Sequence, residues 1–293
     1  MRTPPNLPLR HAAIGDGETA YLEHGAGTAL ILVHGSLCDC RYWTPQMATL
    51  GRNHRVLAPS LKRYWPEQWD GAGDGFSLDA HTEQVLAFIE TVAGEPAHLV
   101  GHSRGGRVAL EAALRRPDLV RTLTLADPGV PVPGHPDQRG DFRQQALQRI
   151  QAGEADEGLA LFIDAVTGPD TWRRMVPWFK DMVRDNATTL LGQSRETPRP
   201  VDEAALRALG MPVLLIGGAL SPQPYPAVIA WLESVLPYAS SEMIAGSSHG
   251  MNLGINTVID VLARLGVKDG VPRLPALMLG AGEYSPMDMA LRS

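Results

Sequence analysis

Apolar and polar positions along this chain fall into two repeating kinds of segment. Short apolar runs occupy 29–33 (Ala-Leu-Ile-Leu-Val), 54–58, 97–100, 120–126 and 212–217, each bounded by Gly, Pro or polar residues, and a further run spans 240–245. Uninterrupted apolar runs of this length fit strands buried on both faces. Between them lie helical patterns. Val85, Phe88, Ile89 and Val92 recur at i, i+3, i+4 and i+7 behind Ser77, which can cap the helix. Further helices are predicted over 44–50, 104–116, 225–236 and 251–265, the second of these stopping before Pro117. Residues 8–14 and 18–24 read as an edge hairpin turning at Gly15-Asp16-Gly17, and 59–76 as a long loop rich in Trp, Tyr, Gly and Pro. Strands alternating with helices predict an α/β fold with a mostly parallel central sheet covered by helices on both faces.

The alternation lapses between Pro128 and Gly210, where 137–152, 154–166, 170–186 and 202–209 read as helices between Gly and Pro punctuation. The predicted organisation is therefore a core formed by 1–127 and 211–267, a helical insertion at 128–210, and a tail at 268–293 with no clear element. The length of 293 residues suits one domain carrying an insertion.

Net charge narrows the partners. At −6 overall and without basic runs, the chain is not expected to bind nucleic acid. No apolar run approaches the length of a membrane span, and Met1 to Arg10 contains no apolar signal core, so a cytoplasmic protein is expected. Cys38 and Cys40 stand one residue apart. A disulfide across that gap is strained, so both read as free thiols in a reducing compartment. Their neighbourhood supplies no further metal ligands, and no cofactor is expected. The partner expected is a small molecule. Oligomeric state is not legible.

Chemistry concentrates at Gly101-His102-Ser103-Arg104-Gly105, between the apolar run Ala97-His98-Leu99-Val100 and a helix starting at Arg104. A serine on so tight a strand-to-helix turn needs small neighbours two residues to either side, which Gly101 and Gly105 supply. Two other segments end strands with reactive residues: His34-Gly35-Ser36 after 29–33, and Gly246-Ser247-Ser248-His249-Gly250 after 240–245. With these motifs the chain resembles the α/β-hydrolase fold family, serine-nucleophile branch, from about residue 18 to about residue 266. The order Ser103, acid, His249 matches the family's.

That resemblance implies a nucleophile, Ser103, and a base, His249. It implies an oxyanion hole from the backbone N–H groups of Arg104 and of Ser36 or Leu37, with Ser36 favoured by register. The acid departs from the commonest family pattern. The loop after 212–217 reads Gly-Gly-Ala-Leu-Ser-Pro-Gln-Pro-Tyr, with no carboxylate, whereas the neighbouring strand ends in Asp127. Asp127 is therefore assigned to orient His249, a Ser–His dyad being the alternative. Trp65, with Tyr64 and Trp69, and the insertion's Phe162, Trp172, Trp178 and Phe179 are candidates for an apolar substrate pocket, or for the insertion's own core. The reading that follows is a serine hydrolase of carboxylic esters or lactones. Carbon–carbon bond hydrolysis, perhydrolysis and amide hydrolysis use the same triad, and a non-catalytic ligand-binding protein on the same scaffold is a further alternative. Dehalogenases and epoxide hydrolases of this fold use an Asp nucleophile, which Ser103 argues against.

Overall fold

The computed structural model describes residues 7–73, 75–134 and 141–250. The helix expected at 251–265 and the tail at 268–293 lie outside the described residues, as does the start of the helix expected at 137–152.

Eight strands form one sheet: β1 (Arg10–Ile14), β2 (Gly17–His24), β3 (Ala29–Val33), β4 (Arg55–Pro59), β5 (Ala97–His102), β6 (Val120–Ala126), β7 (Val213–Gly218) and β8 (Ala239–Ile244). Their spatial order is β1-β2-β4-β3-β5-β6-β7-β8. The hairpin β1–β2 is antiparallel, and β2 meets β4 antiparallel. Every pairing from β4 through β3, β5, β6 and β7 to β8 is parallel.

The apolar runs are uninterrupted because each strand feeds two cores at once. In β3, Ala29, Ile31 and Val33 belong to one cluster and Leu30 and Leu32 to the other. Successive side chains of a strand leave on opposite faces, so a doubly covered strand has no polar side. On the first face pack α2 (Leu78–Phe88), α3 (Arg104–Arg115) and α10 (Tyr225–Val235), through Val85, Phe88, Val108, Leu110, Val228 and Leu232 among others. Ser77 caps α2 by accepting from the Ala80 N–H. The second cluster joins the other face to α1 (Thr44–Leu50) and to the insertion, through Met47, Phe142, Leu159, Phe162 and Phe179.

Between β6 and β7 the chain leaves the sheet to form a helical cap. Its helices are α4 (Phe142–Gln151), α5 (Ala155–Thr167), α6 (Thr171–Arg174), α7 (Pro177–Asp185), α8 (Thr189–Ser194) and α9 (Glu203–Arg207). Two of these correct the sequence reading. The single helix expected over 170–186 is broken into α6 and α7, because Met175 and Val176 are extended (ψ 138 and 149) ahead of Pro177. Proline clashes with a helical residue before it, and it starts α7 instead. Helix α8 is not predicted at all: Thr-Leu-Leu-Gly-Gln-Ser is short and carries a glycine. Among the described residues no helix is long and apolar enough to cross a membrane.

Candidate active site

Four segments converge at the carboxyl edge of the sheet, where an open parallel sheet places its ligand crevice. Ser103 stands between β5 and α3 with φ 53 and ψ −118, a backbone conformation costly for any L residue. Its neighbours make that turn possible. A Cβ on Gly101 would lie 2.3 Å from the Gly105 carbonyl oxygen, and one on Gly105 would lie 2.3 Å from the His34 carbonyl oxygen. Both glycines are therefore required by close approach, as the sequence reading expects. The turn is tied down by Ser103 N–H donating to the Ala126 carbonyl (3.0 Å) and Gly129 N–H donating to the Ser103 carbonyl (2.8 Å).

His249 follows β8 and lies over this elbow, its Nε2 3.0 Å from Ser103 Oγ. On the ring's other side Nδ1 faces Asp127 Oδ2 at 3.4 Å. For Ser103 O–H to donate to Nε2, the imidazole proton must sit on Nδ1, the side of the carboxylate. Asp127 closes β6, its N–H donating to the Ile216 carbonyl of β7 (2.8 Å). It is buried, with 1% of its surface exposed. Burial pushes its carboxyl up to about 6, against the opposing effect of the hydrogen bond from Ser221. Ser221 Oγ–H donates to Asp127 Oδ2 at 2.5 Å. Ser221 belongs to the loop after β7 that lacks a carboxylate, so this strand end contributes a donor to the acid.

Two residues hold the histidine in place. Tyr225, at the start of α10, stacks on the His249 ring with centroids 3.8 Å apart and planes within 13°. His102 Nε2 lies 2.7 Å from the His249 carbonyl oxygen, which can only accept, so Nε2 carries the proton. His102 Nδ1 is then the acceptor for Tyr42 O–H at 2.9 Å. Burial foremost, then the neighbouring His249, pulls His102 down to about 3, so it stays neutral.

His34 shapes the facing turn. It is fully buried, and burial pulls it down to about 4. Its Nε2 accepts from the Leu61 N–H (3.0 Å), leaving Nδ1–H to donate to the Gly35 carbonyl (2.9 Å). A Cβ on Gly35 would lie 3.1 Å from Ser103 Cβ, so the Gly35–Leu37 turn abuts Ser103. Leu37 adopts φ 60 and is fully buried, whereas Ser36 lines the cavity over Ser103. Arg104 is the first residue of α3, so its N–H has no acceptor within the helix. His98 lies in β5 with Nδ1 3.0 Å from Thr122 Oγ1, away from this chemistry.

The cavity above Ser103 has a volume of about 1040 Å³. Its apolar wall includes Leu147, Phe162, Val166 and Phe179 of the cap and Val130 of the strand-to-cap connection. Trp65, Trp172 and Trp178 are not among the residues lining this cavity; of the two places the sequence leaves open for the cap aromatics, Trp172 and Trp178 take the cap's own core. Trp65 lies under the Arg41 guanidinium at 3.9 Å, Trp172 is buried beneath Lys180 and Arg184, and Trp178 packs on Phe179. Large apolar surface in the cap is spent on the cap's own packing, and the phenylalanines of α5 and α7 reach the cavity instead. Among the described residues no cluster of three or more His, Cys, Asp or Glu is placed to hold a metal ion. Ser221, Tyr225, Tyr42 and the neutral role of His102 carry no local sequence signal beyond residue type.

The chain matches the profile described as "Alpha/beta hydrolase family" over residues 30–281. Among curated relatives, a putative carbamate hydrolase of Azorhizobium caulinodans is 30% identical over 129 residues, covering 41% of this chain and 44% of that protein. A 2-hydroxymuconate semialdehyde hydrolase of a Pseudomonas species is 31% identical over 130 residues, covering 43% and 46%. The match spans less than half the length of either relative. Among solved structures, a carboxylesterase of Bacillus subtilis superposes with a TM-score of 0.73 at 17% identity, covering 92% of this chain and 94% of that one. At that identity the likeness establishes the fold.

Proposed function

This chain belongs to the alpha/beta hydrolase family, and from that premise we propose that it is a serine hydrolase cleaving a carboxylic ester or lactone through an acyl-enzyme. Ser103 is the nucleophile, His249 the general base and acid, and Asp127 the carboxylate that holds His249. The observation that carries this reading is Ser103 Oγ, 3.0 Å from His249 Nε2 on a strained elbow, with buried Asp127 on the ring's far side. His249 takes the hydroxyl proton as Oγ attacks the carbonyl carbon, and the carbonyl electrons move to oxygen. The N–H groups of Ser36 and Arg104 receive that oxyanion, the latter aided by the positive end of the α3 dipole. His249 then returns the proton to the departing alkoxide. A water deprotonated by His249 adds to the acyl carbon, and collapse restores Ser103 and releases the acid. A serine at the elbow favours this acyl transfer over displacement by a carboxylate.

The reading is tested by active-site labelling. A fluorophosphonate is expected to modify Ser103 stoichiometrically, with a burst of alcohol release from an activated ester in the unlabelled enzyme. His249→Ala should abolish both, and the Ser103→Ala/His249→Ala pair should lose little more than either variant alone, because groups acting as one unit are not additive. Multiplicative losses would show that His249 does not serve Ser103.

We take residues 1–127 and 211–267 as the hydrolase core and 128–210 as the cap that selects substrate. The cap's Phe162 and Phe179 line the cavity, which supports an apolar acyl or alcohol group. Phe162→Leu or Phe179→Leu is expected to shift relative kcat/KM toward bulkier acyl groups by about tenfold, the scale of a methylene-sized change in an apolar pocket. Trp172→Leu should leave the ranking unchanged. An acyl-length series that moves equally in all three variants would count against this wall. Cys38 and Cys40 are both buried free thiols, and burial pushes Cys40 up to about 12. Both thiols are thereby held protonated and unreactive, and a cytoplasmic setting stays what the sequence leads us to propose.

A further inference from the structure

One short cap segment touches both residues that frame the oxyanion hole. Ser36 Oγ–H donates to Gln193 Oε1 of α8 at 2.9 Å. Three residues on, Glu196 receives the Arg104 guanidinium in a fork, Nη1 to Oε2 and Nη2 to Oε1, the latter at 2.7 Å. This pair is mostly out of water, the side chains being 9% and 19% exposed. Two parallel bonds in such a place fix direction as well as distance. The far end of the segment is held too, with Arg107 Nη2 donating to the Arg199 carbonyl at 3.2 Å. The near end sits low because residue 192 is glycine. A Cβ there would lie 2.4 Å from the Phe76 ring and 2.7 Å from the Trp69 ring.

The two ends of the hole differ in how the core supports them. Arg104 follows an elbow already fixed by backbone bonds to Ala126 and Gly129. Its side chain has a second anchor: Nη2 donates to His81 Nδ1 at 3.1 Å, and His81 Nε2–H donates to the Lys62 carbonyl at 2.9 Å. Ser36 lies on a turn whose next residue adopts φ 60; the core holds that turn through the His34 Nδ1–H and Cys38 N–H bonds to the Gly35 carbonyl, and the cap holds the Ser36 hydroxyl. Withdrawal of α8 therefore leaves the Ser36 hydroxyl without its cap partner, whereas Arg104 keeps His81.

We propose that Gln193 and Glu196 are positioning residues of the oxyanion hole, so that the cap must be seated at 193–199 for the Ser36 and Arg104 N–H groups to converge on a developing oxyanion. This rests on the serine-hydrolase reading and its oxyanion donors. It couples the substrate wall to chemistry: the segment that lines the cavity at 193–199 is the segment that completes the charge-stabilising site. Misplacement of a donor by a fraction of an ångström acts on the transition state and leaves ground-state binding nearly intact.

The experiment uses the full chain, an activated ester, and two inhibitors of the same carbon skeleton. One is a trifluoromethyl ketone, which adds Ser103 to form an oxyanion. The other is the methyl ketone, which binds without adding. Gln193→Ala is expected to lower kcat by about tenfold with KM within about twofold, a fraction of the loss seen when an oxyanion donor is removed outright. It should weaken the trifluoromethyl ketone by a similar factor and the methyl ketone hardly at all. Glu196→Gln should follow the same pattern more weakly, and if it does not fold, Gln193→Ala decides alone. Unchanged kcat in Gln193→Ala, or equal weakening of the two ketones, overturns the positioning role. A wild-type protein that binds the trifluoromethyl ketone no better than the methyl ketone overturns the oxyanion-hole reading itself, a distinct result.

Discussion

Ser103→Ala is expected to lower kcat for activated esters by about 10⁴-fold or more while the melting temperature moves little. The kinetic loss follows from removing the nucleophile of a unit in which no other group can form the acyl-enzyme; residual turnover reflects only the oxyanion hole and binding. The thermal result follows from the backbone. The strain at φ 53 and ψ −118 is borne by any residue with a Cβ, so alanine inherits it unchanged. What the variant gives up in the folded state is one hydrogen bond, Ser103 O–H to His249 Nε2, worth about 1 kcal/mol net. Steady-state hydrolysis and a thermal melt on the same preparation check both halves. Ester turnover within tenfold of wild type would end the serine-hydrolase reading, and a melting temperature lowered by ten degrees or more would mean that Ser103 is structural.

The parts of this arrangement that local chemistry dictates are legible in the sequence. The run 29–33 becomes β3 and 44–50 becomes α1, because an apolar run between polar residues and a proline at the start of a helix leave the backbone little choice. The elbow is legible for the same reason, since its glycines answer a local steric demand. Asp127 is legible by a longer argument, that the neighbouring strand end carries a carboxylate where 217–225 has none. What is not legible depends on residues far apart in the chain. Ser221 reaches Asp127 across 94 positions and Gln193 reaches Ser36 across 157. Helix α8 is missed because Gly192 reads as a breaker, while the structure uses it to bring α8 against Phe76. The sequence leaves the tryptophans open between pocket and cap core because size and apolarity mark a residue as buried without saying which core it joins.

Asp127→Asn is expected to cost about 10⁴-fold in kcat, the precedent for the same change in a serine protease triad. Asparagine keeps the size of the side chain but offers a donor as well as an acceptor toward Nδ1, so it no longer favours the tautomer with the proton on Nδ1 or supports the imidazolium. Stability should respond in the opposite sense. The Asp127 carboxyl titrates near 6 in the folded protein, above its ordinary value of about 4 in an unfolded chain. Between those two values the native state binds a proton that the unfolded state has released, so folding stability falls as pH rises through that window. Above about pH 6 the ionised, buried carboxylate has cost the fold up to about 3 kcal/mol, at 1.36 kcal/mol per pKa unit. The neutral asparagine removes that cost, and the variant should melt at or above the wild-type temperature at pH 8, with the difference vanishing near pH 4. Wild-type kcat/KM should decline as pH drops through about 6, because a protonated Asp127 can no longer stabilise the charge on His249; neutralising the carboxyl by acid and by mutation should thus act alike. A variant that keeps more than about a tenth of wild-type kcat would remove Asp127 from the triad and leave a Ser103–His249 dyad. A variant that melts well below wild type at pH 8 would instead make the carboxylate a structural partner of Ser221.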